Sequence, residues 1–129
     1  MTTFQWFEDI EAWQKARELT KAVYFCSNTE SFCKDYALKD QIQRASVSVM
    51  SNIAEGFERS GTGEFIQFLT VAKGSVGEIK SQLYIALDQE YITKEYFKTL
   101  YELASSTEKL IAGLIHYLKN SPLKGLKFK

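Results

Sequence analysis

The stretch "TGEFIQFLTVAKGSVGEIKSQLYIAL", residues 62–87, decides the fold because its apolar residues recur at alternating steps of four and three. The series is Phe65, Leu69, Ala72, Val76, Ile79, Leu83 and Ala86. A heptad seam sustained over three repeats indicates a helix that packs against other helices as in a coiled coil. We expect this helix to cover about residues 63–88, with Thr62 as its N-cap and Glu64 in its first turn.

Three other segments show the same helical periodicity, with Asp9 and Thr93 placed as N-caps of the first and the last. They predict helices at about residues 9–28, 38–59 and 94–119. The single proline, Pro122, follows the last of them, and no segment alternates with the period of a strand. Short connections favour antiparallel neighbours. We therefore predict an all-α protein, a single domain over residues 1–129 that forms an antiparallel up-down-up-down four-helix bundle with a basic tail at 120–129.

The composition is that of a globular protein, with 45% apolar and 25% charged residues. No apolar run reaches the roughly 18 residues that cross a bilayer, and the N-terminal residues have no basic segment followed by an apolar core. We expect no membrane association and a cytoplasmic location. The two cysteines, Cys26 and Cys33, are too few for a disulfide scaffold, so we expect free thiols.

The sequence contains no arrangement typical of catalysis. His116 is the only histidine and lies in the apolar run "GLIHYL", which favours a core or interface position over a catalytic one. A di-iron bundle needs two Glu-x-x-His pairs, and "GTGEF" lacks the Gly-Lys-Ser/Thr ending of a phosphate-binding loop. We expect a protein that is not an enzyme and binds no cofactor or metal.

The face opposite the heptad seam predicts self-association. It carries Gly74, Gly77 and Ser81 at helical spacing, although each glycine inside a helix costs about 1 kcal/mol relative to alanine. Glycine lets another backbone approach closely, so we expect a second subunit here; a solvated face of small residues is the alternative. Near the N-terminus, Trp6 and Phe7 are expected to pack at the bundle end or against that subunit, and stacking on bases is the alternative.

The stretch "RASVSVMSNIAEGFERS", residues 44–60, combines two adjacent apolar stripes with few charges. Such a helix is covered on more sides than a simple amphipathic one. We therefore predict a buried polar cluster on it, in which Glu55 and Arg59 form an ion pair four residues apart. Its members are Arg44, Asn52, Glu55 and Arg59. Arg44 lies about 16 Å from Glu55 along the helix, so we expect its partner on another element.

Lysines supply a candidate surface for nucleic acid. The candidates are Lys73, Lys80, Lys119, Lys124, Lys127 and Lys129. Five of the sixteen basic residues follow Glu108, the last acidic residue, which leaves eleven basic against sixteen acidic residues before it. Lysines neutralise phosphates without regard to sequence, whereas a pI near 6.6 is low for a nucleic-acid-binding domain. A solvated basic tail is therefore the alternative to RNA or DNA binding.

Three blocks of the sequence resemble a known family. "FEDIEAWQKAREL", "QIQRASVSVMSNIAEGFERS" and "EFIQFLTVAKGSVGEIKSQLYIA" are similar to the 23S rRNA intervening sequence proteins, over roughly residues 7–118. "SNIAEG" and "AKGSVGE" are rather specific to that family. Met50 stands where the family usually carries proline, a residue that would have marked a kink in this helix.

The resemblance implies a four-helix bundle that assembles as a homopentamer. It also implies a bacterial origin, since some members are encoded inside insertions of the large ribosomal RNA gene. A distant relation to the accessory protein of diversity-generating retroelements suggests nucleic-acid binding by analogy. The resulting hypothesis is a homo-oligomeric assembly or adaptor module, with an RNA- or DNA-binding oligomer in a ribonucleoprotein complex as the alternative.

Overall fold

A computed structural model describes residues 4–120, and all regular secondary structure within this range is helical. Its elements are a 3-10 turn at Phe7–Asp9, α1 at Glu11–Ser27, α2 at Glu30–Lys34, α3 at Tyr36–Glu58, α4 at Thr62–Asp88 and α5 at Lys94–Asn120. The four long helices pack around one core, with α1 and α4 each contacting both α3 and α5. The all-helical bundle predicted from the sequence is confirmed.

Contacts between side chains give the helix directions. The contacting pairs are Thr20 with Ser46 and Gln43 with Ser27 (α1 and α3), Ser48 with Ser75 and Phe57 with Phe65 (α3 and α4), and Lys80 with Glu108 and Tyr84 with Phe97 (α4 and α5). In each set, the residue number rises along one helix while it falls along its neighbour. These neighbours therefore run antiparallel, as short connections require.

The core consists of the seams identified in the sequence. All seven members of the α4 series, Phe65 to Ala86, are fully buried. On α5 the buried residues are Leu100, Ala104, Thr107, Ile111, Leu114 and Leu118. Burying a leucine, isoleucine or phenylalanine side chain contributes about 1.5–3 kcal/mol. Hydrophobic burial along these seams is thus the main source of the bundle's stability.

Three of the four long helices, α1, α3 and α4, start at a different residue from the one predicted. The first long helix begins at Glu11, because the Asp9 carboxylate caps the preceding 3-10 turn and accepts the backbone N–H groups of Gln5 and Trp6 at 3.3 and 3.1 Å. Helix α4 has Gly61 at its N-cap, so Thr62 is its first residue and not its cap. At α5 the prediction holds, since the Thr93 hydroxyl accepts the N–H of Tyr96 at 3.0 Å.

The connection between α1 and α3, predicted as a loop, contains the short helix α2. Phe32 of α2 is fully buried and stacks on Tyr91 in the α4–α5 connection, with ring centroids 5.2 Å apart. Asp35 accepts the N–H of Leu38 at 3.1 Å, which starts α3 two residues earlier than predicted. It also accepts the Tyr91 hydroxyl at 2.9 Å. These contacts close one end of the bundle.

Helices α3 and α4 approach each other closely at Gly56 of α3. A Cβ atom placed there would lie 2.6 Å from the Phe68 Cβ and 3.0 Å from the Phe65 Cδ1. The Phe68 Cβ is fixed to the backbone, so it cannot move away by a change of rotamer. Glycine at this position therefore sets how closely α3 and α4 cross.

We expect Gly56→Ala to lower the free energy of unfolding by about 1–3 kcal/mol, because the added methyl group overpacks the crossing. Gly113→Ala is the matched control, since no atom lies within 4 Å of a Cβ at Gly113 and alanine favours a helix by about 1 kcal/mol over glycine. Urea denaturation followed by circular dichroism measures both changes. Equal stability of Gly56→Ala and the wild type would contradict the close crossing.

Candidate functional site

The outer face of α4 has no cover from the described chain. Gly74, Gly77 and Ser81 are exposed, and no atom of residues 4–120 lies within 4 Å of a Cβ placed at either glycine. No other helix in the described part of the chain therefore makes the close approach that was predicted from these glycines. Two apolar residues of α4 lie near them, Val71 at 53% and Ile85 at 45% exposure. We call these five residues the α4 outer face.

Polar side chains link α3 to α4 beside this face. The hydroxyls of Ser48 and Ser75 form a 2.9 Å hydrogen bond between the helices. The Asn52 amide donates to the hydroxyl and the carbonyl of Ser48 at 3.0 and 2.8 Å. Asn52 is half-buried, as predicted, and its partners are these short-range groups. The small hydroxyls of the "RASVSVMSN" segment thus hold the two helices together.

The predicted buried polar cluster is otherwise wrong for this chain. Arg44 is 78% exposed and pairs with Asp40 on its own helix at 2.8 Å, so its partner does not come from another element. Glu55 and Arg59 form the predicted ion pair at 2.9 Å, but both side chains are exposed. Arg59 also lies over the Phe68 ring at 5.0 Å. Their place on the outer side of α3 explains the difference, because periodicity alone underestimates how much of a surface helix stays in solvent.

The aromatic residues before α1 lie apart from the α4 outer face. Trp6 is 64% exposed, whereas Phe7 is half-buried with its ring centroid 5.1 Å from that of Trp13. The 3-10 turn to which Phe7 belongs contacts α1 and α3. The structure therefore does not bring Trp6 and Phe7 together with Gly74, Gly77 and Ser81 within a single chain.

The candidate lysines differ in their surroundings. Lys73 and Lys119 are exposed. Lys80 instead donates a 2.7 Å hydrogen bond to Glu108 and lies 5.0 Å from the centre of the Tyr101 ring. The hydrogen bond to Glu108 raises the pKa of Lys80. Lys124, Lys127 and Lys129 lie outside the described residues.

A cluster of aromatic rings lies beside the Lys80–Glu108 ion pair. This cluster was not predicted from the sequence. The ring centroids of Tyr84, Phe97 and Tyr101 lie 4.9–5.7 Å from one another. Tyr84 is half exposed, at 50%. The spacing of Phe97 and Tyr101, four residues apart on one helix, is a signal in the sequence. Their contact with Tyr84 on another helix becomes visible only in the fold.

The histidine and cysteines do not form a reactive site. His116 is exposed in the single chain, with the Asn120 amide donating to its backbone carbonyl, so of the two positions expected for it, core or interface, it does not occupy the core. Cys26 and Cys33 are free thiols, and burial raises the pKa of Cys26 to about 11. Among residues 4–120, no three metal-ligating side chains lie close enough to hold an ion. No helix in that range is long and apolar enough to span a bilayer.

The sequence profile of the 23S rRNA-intervening sequence protein family matches residues 8–113. The chain belongs to this family. A solved structure of a protein with unknown function from the S23 ribosomal protein family of Bacteroides thetaiotaomicron VPI-5482 has the same fold, with a TM-score of 0.74 at 24% identity. The similarity covers 81% of this chain and 95% of that protein. Among curated proteins, none matches the sequence significantly.

Met50 of α3 stands where the family resemblance leads us to expect proline, and the structure shows how the helix runs at this position. The helix runs without interruption from Tyr36 to Glu58. Met50 is half-buried against the core. The chain therefore forms the family's bundle with a continuous second long helix.

We expect Glu108→Gln to lower the free energy of unfolding by about 1 kcal/mol at neutral pH, because Lys80 loses a charged hydrogen-bond partner. The folded-state pKa of Lys80 is raised. The contribution of the Lys80–Glu108 pair to the free energy of unfolding is thus fully present below the unfolded-state pKa of lysine, about 10.4. It is lost as pH rises through the folded-state pKa of Lys80. Urea denaturation should therefore show that the difference in the free energy of unfolding between Glu108→Gln and the wild type shrinks as pH rises above the folded-state pKa of Lys80. Asp40→Asn, which breaks the exposed pair with Arg44, should change stability little.

Proposed function

We propose that this protein acts without catalysis, as a self-associating helical module that serves in assembly or as an adaptor. The supporting observation is the uncovered α4 outer face. Two glycines inside a helix together cost about 2 kcal/mol, and no contact within residues 4–120 offsets this cost. Close packing of a second copy against Gly74 and Gly77 provides the compensation.

The apolar residues near the glycines support the same proposal. Val71 and Ile85 on α4 are both more than two-fifths exposed. Burying such side chains contributes favourably to association, and a small-residue surface flanked by aliphatic groups suits a second helix. The family resemblance implies five copies in the assembly. The proposed location is the cytoplasm, because reducing compartments maintain free thiols such as Cys26 and Cys33.

We expect the wild-type protein to have a native mass several times that of the 14.8 kDa chain. Gly74→Leu combined with Gly77→Leu should reduce that mass, because the new side chains hold the second copy away. Each leucine enters open space in the single chain, so folding should persist. Size-exclusion chromatography with light scattering measures the mass.

Gly113→Leu is the matched control for this experiment. It introduces the same side chain at an exposed glycine of α5 that is likewise open, so the mass should match the wild type. A wild-type protein that stays monomeric at micromolar concentration would contradict self-association. A normal mass for the Gly74/Gly77 double variant would place the interface elsewhere.

Binding of RNA or DNA is a second candidate function. Lys73 and Lys119 are exposed, and the segment after Asn120 carries three more lysines and no acidic residue. Copies in an oligomer would multiply weak phosphate contacts. The similar solved structure described above is of a protein with unknown function. The proposal of nucleic-acid binding therefore rests on these lysines.

We expect labelled RNA to bind at micromolar protein with an affinity that falls as salt rises, because lysines displace counterions from phosphates. Lys124→Ala, Lys127→Ala and Lys129→Ala together should weaken binding and flatten its salt dependence. Fluorescence anisotropy at two salt concentrations measures both. The absence of salt-dependent binding at micromolar protein would rule out this function.

A further inference from the structure

The bundle segregates positive charge onto one side. Lys80 and Tyr84 of α4 both contact α5, and Tyr101 and Glu108 of α5 both contact α4. We call the outward surface along the contact between α4 and α5 the α4/α5 face. Residues at one-turn, heptad or three-turn spacing from these contacts share the face. Its lysines are Lys73, Lys80, Lys94, Lys98 and Lys119.

The charge of this face is opposite to that of the rest of the bundle. Against its five lysines stand Asp88 and Glu108, together with Glu95 and Glu102, which neighbour Lys98 on α5, so the face carries about one net positive charge. The chain before residue 109 carries five more acidic than basic residues, so the acidic excess lies on other surfaces. Local potential, rather than the overall pI, governs where a polyanion approaches. The α4/α5 face is therefore suited to phosphates although the protein as a whole is not basic.

The same face presents a fixed aromatic ring. Tyr84 is half exposed, and the rings of Phe97 and Tyr101 pack against it at 4.9 and 5.7 Å. The Lys80–Glu108 pair lies beneath, with Lys80 over Tyr101. These contacts restrict the Tyr84 side chain before any ligand arrives, which reduces the entropy lost on binding. Such a ring offers a surface on which a base can stack.

Three of the exposed lysines lie on the part of the face that carries that ring, whereas Lys119 lies 22 residues beyond Phe97 on α5, about 33 Å away along the helix. Lys94 and Lys98 are one helical turn apart on α5, a rise of about 6 Å, next to the end of α4 that carries Tyr84. Lys73 lies about 16 Å from Tyr84 along α4. We propose that the α4/α5 face binds single-stranded nucleic acid, with a base stacked on Tyr84 and phosphates held by Lys73, Lys94 and Lys98.

This site rests on the second function proposed above and gives it a location and a ligand class. A duplex keeps its bases paired and stacked internally, so it cannot use the Tyr84 ring. An acidic peptide can contact the lysines but has no base to stack. The combination of a pre-positioned ring with neighbouring exposed lysines therefore favours a single strand.

The test uses the full-length protein and a fluorescein-labelled 20-nucleotide oligouridylate, with a 20-base-pair RNA duplex for comparison. The single strand should bind more tightly than the duplex in fluorescence anisotropy. With three phosphate contacts, its affinity should fall roughly twentyfold between 50 and 200 mM salt. Lys73→Ala with Lys98→Ala should reduce that salt dependence, whereas Lys21→Ala with Lys39→Ala, on α1 and α3, should not.

Variants of Tyr84 test the stacking itself. Tyr84→Leu should weaken single-strand binding about tenfold, and Tyr84→Phe, which keeps the ring, should preserve it. Tyr24→Ala is the matched control, because this tyrosine is also exposed but lies on α1. Thermal melting and light scattering establish that each variant keeps its fold and native mass. If Tyr84→Leu does not fold, selective loss in the lysine variants and retention in Tyr84→Phe still support the site.

The outcomes separate this site from the broader function. Binding that survives in Tyr84→Leu and the lysine variants but disappears when Lys124, Lys127 and Lys129 are replaced would overturn the site and retain nucleic-acid binding. Equal affinity for duplex and single strand, or equal competition by polyglutamate, would also overturn it. No binding of either RNA by the wild type would remove both proposals.

Discussion

The close crossing of α3 and α4 is the constraint on which the other helix positions depend. Gly56 lets the two backbones meet at Phe68, and the Ser48–Ser75 hydrogen bond holds them together farther along. Only small side chains permit such a separation, because any larger group would need space that the core side chains of α4 already fill. With this pair fixed, α1 and α5 have one arrangement in which their apolar stripes are both covered. The remaining outward sides of α4 and α5 then become the surfaces available to partners.

Much of the fold follows directly from the sequence. The heptad seam of α4 appears in the structure residue by residue, since a helix with one continuous apolar stripe has only one side to bury. The boundaries were less accurate because caps depend on local competition between hydrogen bonds. Asp9 caps a 3-10 turn and not α1, and Asp35 starts α3 early. The helix α2 was missed because a five-residue segment is too short to show periodicity, and its order comes from Phe32 packing on Tyr91.

The candidate surfaces were harder to predict, because exposure depends on which helices become neighbours. Periodicity placed Gly74 and Gly77 correctly on the outside of α4. It also suggested burial for Arg44 and Glu55, which the bundle leaves in solvent. The partner of Lys80 could not be predicted from the sequence, because Glu108 lies 28 residues away on another helix. The ring cluster around that pair likewise requires knowledge of which helices pack together.

Helix α4 has a distinct role on each of its sides. One side fills the core, a second contacts α3 through Ser75, a third carries the exposed glycines, and a fourth meets α5 through Lys80 and Tyr84. Gly77 lies one heptad from Tyr84, so the third and fourth sides adjoin each other, whereas change on either of them leaves the core side intact. Natural relatives can therefore diverge on a single side, for example by exchanging the glycines for charged residues, while the apolar seam stays the same. The shared fold at 24% identity and a TM-score of 0.74 shows that such a bundle keeps its shape when most of its residues differ.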